Sequence, residues 1–474
     1  MSAAHDDVSM SRADYVASDG VGLTAAVRAG RVSARAVAEA ALAQIATRGS
    51  AVNAFTTVLA EQARTDADRV DAAIAAGRDA GPLAGLPFAV KNLFDVAGIT
   101  TLAGSKINRE RPPAARDAHA VAALRGAGAV LVGALNMDEY AYGFTTENSH
   151  YGPARNPHDL TRVAGGSSGG SGAAVGAGLV PLTLGSDTNG SVRVPASLCG
   201  AFGLKPTYGR VSRAGSTLFA GSFDHVGALG RSVRDVTAAF DVMQGPDPED
   251  PVCSSRPAEP CLSILGAGVA GLRIAILDGH FARGGEPEAF AAVDQVAGAL
   301  GVSRRVTIPE THRARAAAMV ITASEGANVH LADLKRRPQD FDPLTRDRFL
   351  AGALVPAAAY VQAQRFRAWY RARVAELFGE VDVLLAPTTP CPAPRIGQDR
   401  IVLDGVEVMV RPNLGVYTQP LSFIGLPVLS VPVVRPGAMP LGVQIVGAPF
   451  REAHVLRVGA LLEAKGVAAA AVSA

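Results

Sequence analysis

Three groups of residues have types and spacings that could do chemistry, and their surroundings sort them. Gly266-Ala-Gly-Val-Ala-Gly271 has the G-x-G-x-x-G spacing of a dinucleotide loop, with Glu286 about 20 residues on. Such a loop must open a helix whose N-terminus meets a pyrophosphate. This one runs straight into the strand-like Leu272-Arg-Ile-Ala-Ile-Leu277 and reads as a turn. Gly165-Gly-Ser-Ser-Gly169 has the spacing of a nucleophile elbow, which needs an apolar strand immediately before it. The preceding Pro157-His-Asp-Leu-Thr-Arg-Val-Ala164 is a poor strand. A Walker A loop is excluded because no G-K-[ST] follows. The third group is a set: Lys91 after the apolar Phe88-Ala-Val90, the block Gly165–Ser171, and Gly185-Ser-Asp-Thr-Asn-Gly-Ser191-Val-Arg193. A serine hydroxyl is a weak nucleophile and needs a base within reach. Lysine serves as that base only when neutral, and burial beside apolar residues lowers its pKa. Glycines around Ser191 would let backbone N–H groups converge on an oxyanion.

Strands alternating with helices would position these groups. Ser33 is a plausible N-cap for a helix over 33–47, where Ala34, Val37, Ala38, Ala41, Leu42 and Ile45 recur at helical spacing. A second helical pattern runs from about Asn53 to Ala76. Gly85–Val90 and Ala129–Leu135 read as buried strands, with a helix over Ala118–Gly126 between them. Strand-like Leu272–Leu277 is followed by helical patterns over most of 288–375, strands at Val381–Leu385, Val428–Val434 and Leu441–Val446, and a last helix near 452–464. The pattern predicts an α/β fold with a mixed, largely covered sheet. The Gly/Ser-dense stretch 165–215 holds apolar runs such as Ala173–Leu184, which a flexible linker would lack. Pro246–Pro260 reads as an exposed loop, and no internal repeat is visible.

The 474 residues allow about three domains or one large α/β domain. At 48% hydrophobic and 19% charged, the chain has material for a sizeable core. A net charge of +2 lacks the basic excess of a dedicated nucleic-acid binder. Four cysteines without C-x-x-C spacing, and nine scattered histidines without H-E-x-x-H, suggest neither a disulfide framework nor a metal site. The N-terminus carries acidic residues where a signal peptide would have a basic start, and the weakly polar stretches are too short to span a bilayer. The expectation is a reduced, cytoplasmic protein that binds neither membrane nor nucleic acid directly.

The stretch from Arg162 to Ser212 resembles the signature of the amidase signature family, and the likeness runs from about Leu23 to Leu462. It takes in Asn136-Met-Asp-Glu-Tyr140, Thr146-Glu-Asn-Ser149, Pro387-Thr-Thr-Pro390 and Pro440–Gly447. The resemblance implies one large α/β domain over 21–465, a central mixed twisted sheet with helices on both faces. It leaves an N-terminal extension over 1–20 and a frayed tail over 466–474. It also implies a Ser–Ser–Lys triad that cleaves linear amides without metal or cofactor. The family's nucleophile falls on Ser191, its bridging serine in a cis peptide on Ser167, and its lysine on Lys91. Its oxyanion hole falls on the backbone amides of Thr188, Asn189, Gly190 and Ser191. Asn189 departs from the glycine common there. Asp187 and Arg193 are expected to brace this loop.

Two branches of the family are nearest: the glutaminase subunits of glutamine-dependent tRNA amidotransferases, and the catalytic subunits of 1-carboxybiuret hydrolases. Asp187–Cys199 and Met243–Pro251 resemble the second more closely. In the glutaminase branch an aspartate pairs with the ammonium of glutamine; the matching position, ahead of Thr418–Pro427, is Gly415. A glutamine ammonium would lose its counter-charge there, whereas an anionic ureide would lose nothing. Arg346 and Arg348 match a basic segment that binds substrate carboxylate in relatives, and a planar guanidinium suits a carboxylate. Members of both branches work beside a second, different chain, so the resemblance implies an oligomer, with a small helical partner in the second branch. A small-amide amidase of other specificity is the third reading that the resemblance leaves open.

Overall fold

Strand and helix patterns resolve into an eleven-stranded mixed sheet. In the computed structural model, which describes residues 10–473, the strands are β1 (Phe55–Val58), β2 (Pro87–Lys91), β3 (Val130–Leu135), β4 (Leu182–Asp187), β5 (Phe202–Lys205) and β6 (His225–Gly230). They continue with β7 (Ile274–Leu277), β8 (Arg305–Val306), β9 (Val383–Pro387), β10 (Val428–Pro432) and β11 (Gly442–Gly447). Their order across the sheet is β1-β3-β2-β4-β6-β5-β10-β11-β9-β7-β8. β2 runs parallel to β3 and β4, and β7 parallel to β8 and β9; the other neighbours are antiparallel.

Both faces of the sheet are covered, which is why its central strands read as unbroken apolar runs. Phe88, Val90, Leu131, Leu182 and Leu184 face one core, which the helices His119–Gly126, Val233–Met243 and Glu452–Ala464 cover. Ala89, Val130, Val132 and Leu135 face the other, under Ala34–Val52 and Gly169–Gly176. The glycine-rich block is therefore a buried helix and no linker. Gly170 lets it approach closely: a Cβ there would lie 2.5 Å from the Ala54 carbonyl oxygen and 2.6 Å from the Asn136 backbone.

Several expectations are revised. The Ser33 hydroxyl caps its helix by accepting from the Ala36 N–H, but the helix runs on to Val52 and ends where Asn53 turns left-handed at φ 48°. The helix expected over 53–76 is two elements. Phe55–Val58 pairs antiparallel with β3, and the helix begins only at Ala60. Sheet pairing of a β-branched Thr-Thr-Val run outweighs the helical spacing. Asp159–Val163 is a strand after all, paired with Arg155–Asn156 in a ribbon outside the central sheet. Residues 466–473 do not fray. Ala469, Ala471 and Ser473 donate backbone N–H groups to the carbonyls of Pro432, Gly200 and Gly176, and Arg48 donates to the Ser473 carbonyl at 3.0 Å. Of the expected extension, residues 1–9 lie outside the described residues. Tyr15 is fully buried, its hydroxyl donating to the Leu179 carbonyl at 3.0 Å. Residues 246–260 form a largely exposed loop, tied down by Asp250 on Arg213 at 2.8 Å. Among the described residues, no helix is long and apolar enough to cross a membrane.

Candidate active site

The parallel strands β2 and β4 and the turn before Gly169–Gly176 bring the three sequence blocks together. Lys91, the last residue of β2, is fully buried. Its Nζ donates to Ser167 Oγ at 2.6 Å and to Ser186 Oγ at 2.9 Å. Burial pushes its pKa down to about 7, against the pull of Asp138, Asp224 and Asp187. Near neutrality, then, the amine is poised to exchange a proton with the hydroxyl beside it. The Gly166–Ser167 peptide is cis. The Ser167 carbonyl accepts from the Asp138 N–H at 3.2 Å, and Ser168 N–H donates to the Ser191 carbonyl at 3.2 Å. The two serine turns are thus joined through the backbone.

Ser191 follows a bend over Thr188–Gly190 and precedes the helix Arg193–Cys199. Gly190, at φ 140°, permits the bend, and a Cβ on it would lie 2.1 Å from Thr418 Oγ1. That hydroxyl instead donates to the Asn189 carbonyl at 2.6 Å. The backbone N–H groups of Thr188, Asn189, Gly190 and Ser191 have no acceptor among the described residues. Four free donors in succession beside a serine are what a developing oxyanion requires.

Asp187 and Arg193 form a fully buried pair, with Arg193 Nε and Nη2 each 3.0 Å from a carboxylate oxygen. Burial alone would raise the Asp187 pKa, but the Arg193 charge and hydrogen bonds hold it well below the usual carboxylate range. Arg193 also reaches Gln444 Oε1 at 2.6 Å and Ser422 Oγ, while Asp187 accepts from the Val192 N–H at 3.2 Å. The pair clamps both ends of the Thr188–Ser191 bend to β11 and the 418–422 segment.

The bend opens into a narrow cleft lined by Tyr142, Phe144, Thr188, Asn189, Ser191 and Arg348 among others. The two candidate arginines differ here. Arg348 lines the cleft, its guanidinium 3.7 Å over the Tyr142 ring and donating to the Tyr142 carbonyl at 3.0 Å. Arg346 is not among the lining residues, and its Nε pairs with Asp347 at 2.8 Å. Among the described residues, no group of three or more His, Cys, Asp or Glu is arranged to hold a metal ion.

The amidase family profile matches residues 36–456. The chain belongs to the amidase signature family. Like other amidase signature hydrolases it acts on the C–N bond of linear amides. It is 56% identical, over 93% of its length and 97% of the relative's, to AtzE, the 1-carboxybiuret hydrolase subunit of Pseudomonas sp. (strain ADP). It is 39% identical to a glutamyl-tRNA(Gln) amidotransferase subunit of Roseiflexus sp. (strain RS-1), over 92% of this chain and 93% of that one. A solved structure, described as a vestigial protein complex that reveals the evolutionary origins of an s-triazine catabolic enzyme, superimposes with a TM-score of 0.95 at 54% identity. It covers 96% of this amidase and 100% of that chain. The corresponding glutamyl-tRNA(Gln) amidotransferase subunit of Thermotoga maritima gives 0.79 at 28% identity, covering 99% of each chain.

Sequence reading of this amidase missed several residues that hold the site. Ser186 is the second partner of Lys91, and nothing in its motif beyond its place beside Asp187 distinguishes it. Asp224 accepts from Thr188 Oγ1 at 2.5 Å and from the N–H groups of Phe219 and Ala220, and burial raises its pKa to about 6. It ties the bend to the cleft wall. Glu139 is buried. One of its oxygens accepts from the Asp342 N–H at 2.8 Å and from Thr345 Oγ1 at 2.5 Å; the other lies 3.1 Å from His150 Nε2. It fastens the first turn of the helix Pro343–Ala353, which carries Arg348, to the segment that lines the cleft. These partners come from distant stretches with no spacing in common, so no sequence signal marks them.

Proposed function

We propose that this amidase cleaves a small ureide-type carboxylate such as 1-carboxybiuret, releasing ammonia through an acyl-enzyme on Ser191. The observation that carries the reading is the short contact between Ser167 and the buried Lys91 of lowered pKa, in a turn whose Ser168 N–H is bonded to the Ser191 carbonyl, next to the free backbone N–H groups of 188–191. Ser191 Oγ attacks the amide carbon. Its proton passes to Ser167 as the proton of Ser167 passes to Lys91 Nζ. The oxyanion is held by the amides of residues 188–191. When the C–N bond breaks, Ser167 protonates the leaving nitrogen and is reprotonated by Lys91, and ammonia departs. Water then attacks the ester, sends a proton back along the same route, frees the acid and restores the Ser191 hydroxyl.

The substrate class rests on the cleft wall. Arg348 supplies a cation for a carboxylate, and its own partners are a ring and a carbonyl, so its charge is not neutralised by a contacting acid. At Gly415 no acid stands to receive an ammonium, and the Phe144 ring fills the adjacent space. Arg348 suits any carboxylate, glutamine's included; the wall at Gly415 is what favours an anionic ureide, which has no ammonium, and the name of the 56% identical relative agrees. We propose further that the enzyme works in the cytoplasm beside a small helical partner; that it has a partner at all is supported by the protein complex that the similar solved structure is described as.

Ammonia release across carboxybiuret, biuret, glutamine, asparagine and simple amides tests the proposal. Carboxybiuret should exceed glutamine in kcat/KM by orders of magnitude. Arg348→Ala should lower kcat/KM for carboxybiuret and leave that for biuret, which has no carboxylate, nearly unchanged, and Arg346→Ala should change neither beyond about twofold. A preference for glutamine would replace this reading with the glutaminase of a tRNA-dependent amidotransferase.

A further inference from the structure

Within the cleft, Asn189 has a buried side-chain oxygen without a partner. The residue lines the cleft beside Ser191 and is 7% exposed. Its backbone carbonyl accepts from Thr418, and its N–H belongs to the free row beside Ser191. The side-chain amide is not engaged. Its Oδ1 is out of contact with solvent and has no hydrogen-bond partner in the protein. A buried amide oxygen without a donor is costly, and most such groups in folded proteins are paired. The two threonine hydroxyls that share the cleft lining do not serve it: Thr188 Oγ1 donates to Asp224 and Thr322 Oγ1 to the Ala318 carbonyl. Asn189 lines the cleft, where a bound substrate can bring a donor to it.

We infer that Asn189 is a specificity-determining residue that reads the ureide part of the substrate, its carboxamide pairing with an N–H and carbonyl next to the scissile amide. A primary carboxamide offers one acceptor and one donor side by side, the complement of the further –CO–NH– unit that a ureide carries beside its scissile amide and that an alkyl chain there lacks. A site built to hydrogen-bond such a group discriminates strongly against an analogue without it, because its own polar atoms are then left unpaired. The inference rests on the ureide reading above and adds the residue that would recognise the substrate backbone. Arg348 would read only its charge.

Glutaramate is the discriminating probe. It has the chain length, charge and terminal carboxamide of carboxybiuret, with methylenes in place of the internal N–H and carbonyl groups. Wild-type enzyme should prefer carboxybiuret by kcat/KM. Asn189→Leu, which keeps the volume, and Asn189→Ala, which removes it, should each reduce that preference about 10- to 100-fold. Melting temperature and residual glutaramate turnover report whether each variant is folded. If either folded variant keeps the wild-type preference, Asn189 does not read the ureide and the inference falls while the substrate class stands. If wild type itself shows no preference for carboxybiuret over glutaramate, the ureide reading falls and the inference with it.

Discussion

Phe144 fills the space that any side chain on Gly415 would enter: a Cβ on residue 415 would lie 2.3 Å from the ring Cζ. Phe144 lines the cleft and Gly415 is buried behind it, so the wall here is hydrocarbon where an ammonium-binding site would need a carboxylate. The two positions constrain each other.

Gly415→Ala should therefore destabilise the protein by about 1–3 kcal/mol through overpacking. Phe144→Leu should recover part of that loss in the double variant. Chemical denaturation of the two single variants and the double variant measures the coupling. Strictly additive effects would show that the ring gives way freely.

The triad reading predicts that Ser191→Ala and Lys91→Ala each lower kcat by at least about 10³-fold while retaining a cooperative unfolding transition. Ser167→Ala should be impaired less completely, since water can stand in for the relayed hydroxyl. Normal turnover in Ser191→Ala would sink the mechanism.

Lys91 should impose an acid limb on kcat/KM with an apparent pKa near 7, activity rising as the amine loses its proton. Its pKa is near 7 folded and the ordinary 10.5 unfolded, so the sign of the linked stability is determined. Below pH 7 both states are protonated and the burial penalty is complete. Between 7 and 10.5 the unfolded chain holds a proton that the folded one lacks, so stability rises with pH. The stability of Lys91→Met relative to wild type should be most favourable at or below pH 7 and fall toward pH 10. A difference independent of pH across that window would contradict the lowered pKa.

Removing one half of the buried Asp187–Arg193 pair leaves the other charge unpaired. Arg193→Met should cost about 3–5 kcal/mol in denaturant unfolding and depress kcat, because the bend that carries Ser191 loses its clamp. A loss below about 1 kcal/mol would mean that the pair does not hold the bend.

Glu139 should act on substrate binding through Arg348. Glu139→Ala should raise KM for carboxybiuret about tenfold or more with a much smaller change in kcat, since the helix carrying Arg348 loses its anchor. Glu139→Gln keeps an acceptor for Asp342 and Thr345 and a donor for His150, and should restore most of the affinity. Equal loss in kcat and KM terms, or no rescue by glutamine, would assign Glu139 a merely structural role.

What the sequence alone determined is local or contiguous. The last helix, expected near 452–464, is Glu452–Ala464, because its apolar spacing and its burial coincide. β2 and β3 declared themselves as apolar runs because strands covered on both faces need no alternation. The glycine and serine blocks around Ser167 and Ser191 are legible because a tight bend and a close-packed helix demand glycine within a few residues of the working side chain. Tertiary structure decided the rest. Phe55–Val58 is a strand only because the edge of β3 is there to pair with it. The tail is ordered only because the carbonyls of Gly176, Gly200 and Pro432 await its N–H groups. Arg346 and Arg348 are equivalent as letters; two residues apart on one helix they point to different faces, one beside Asp347 and the other over the Tyr142 ring. Ser186, Glu139 and Asp224 acquire their roles from distant partners, 95 residues away for Lys91–Ser186, 36 for Thr188–Asp224 and 206 for Glu139–Thr345. Hydrogen bonds and burial depend on distance in space, and a spacing in the chain specifies that distance only within an element or a turn.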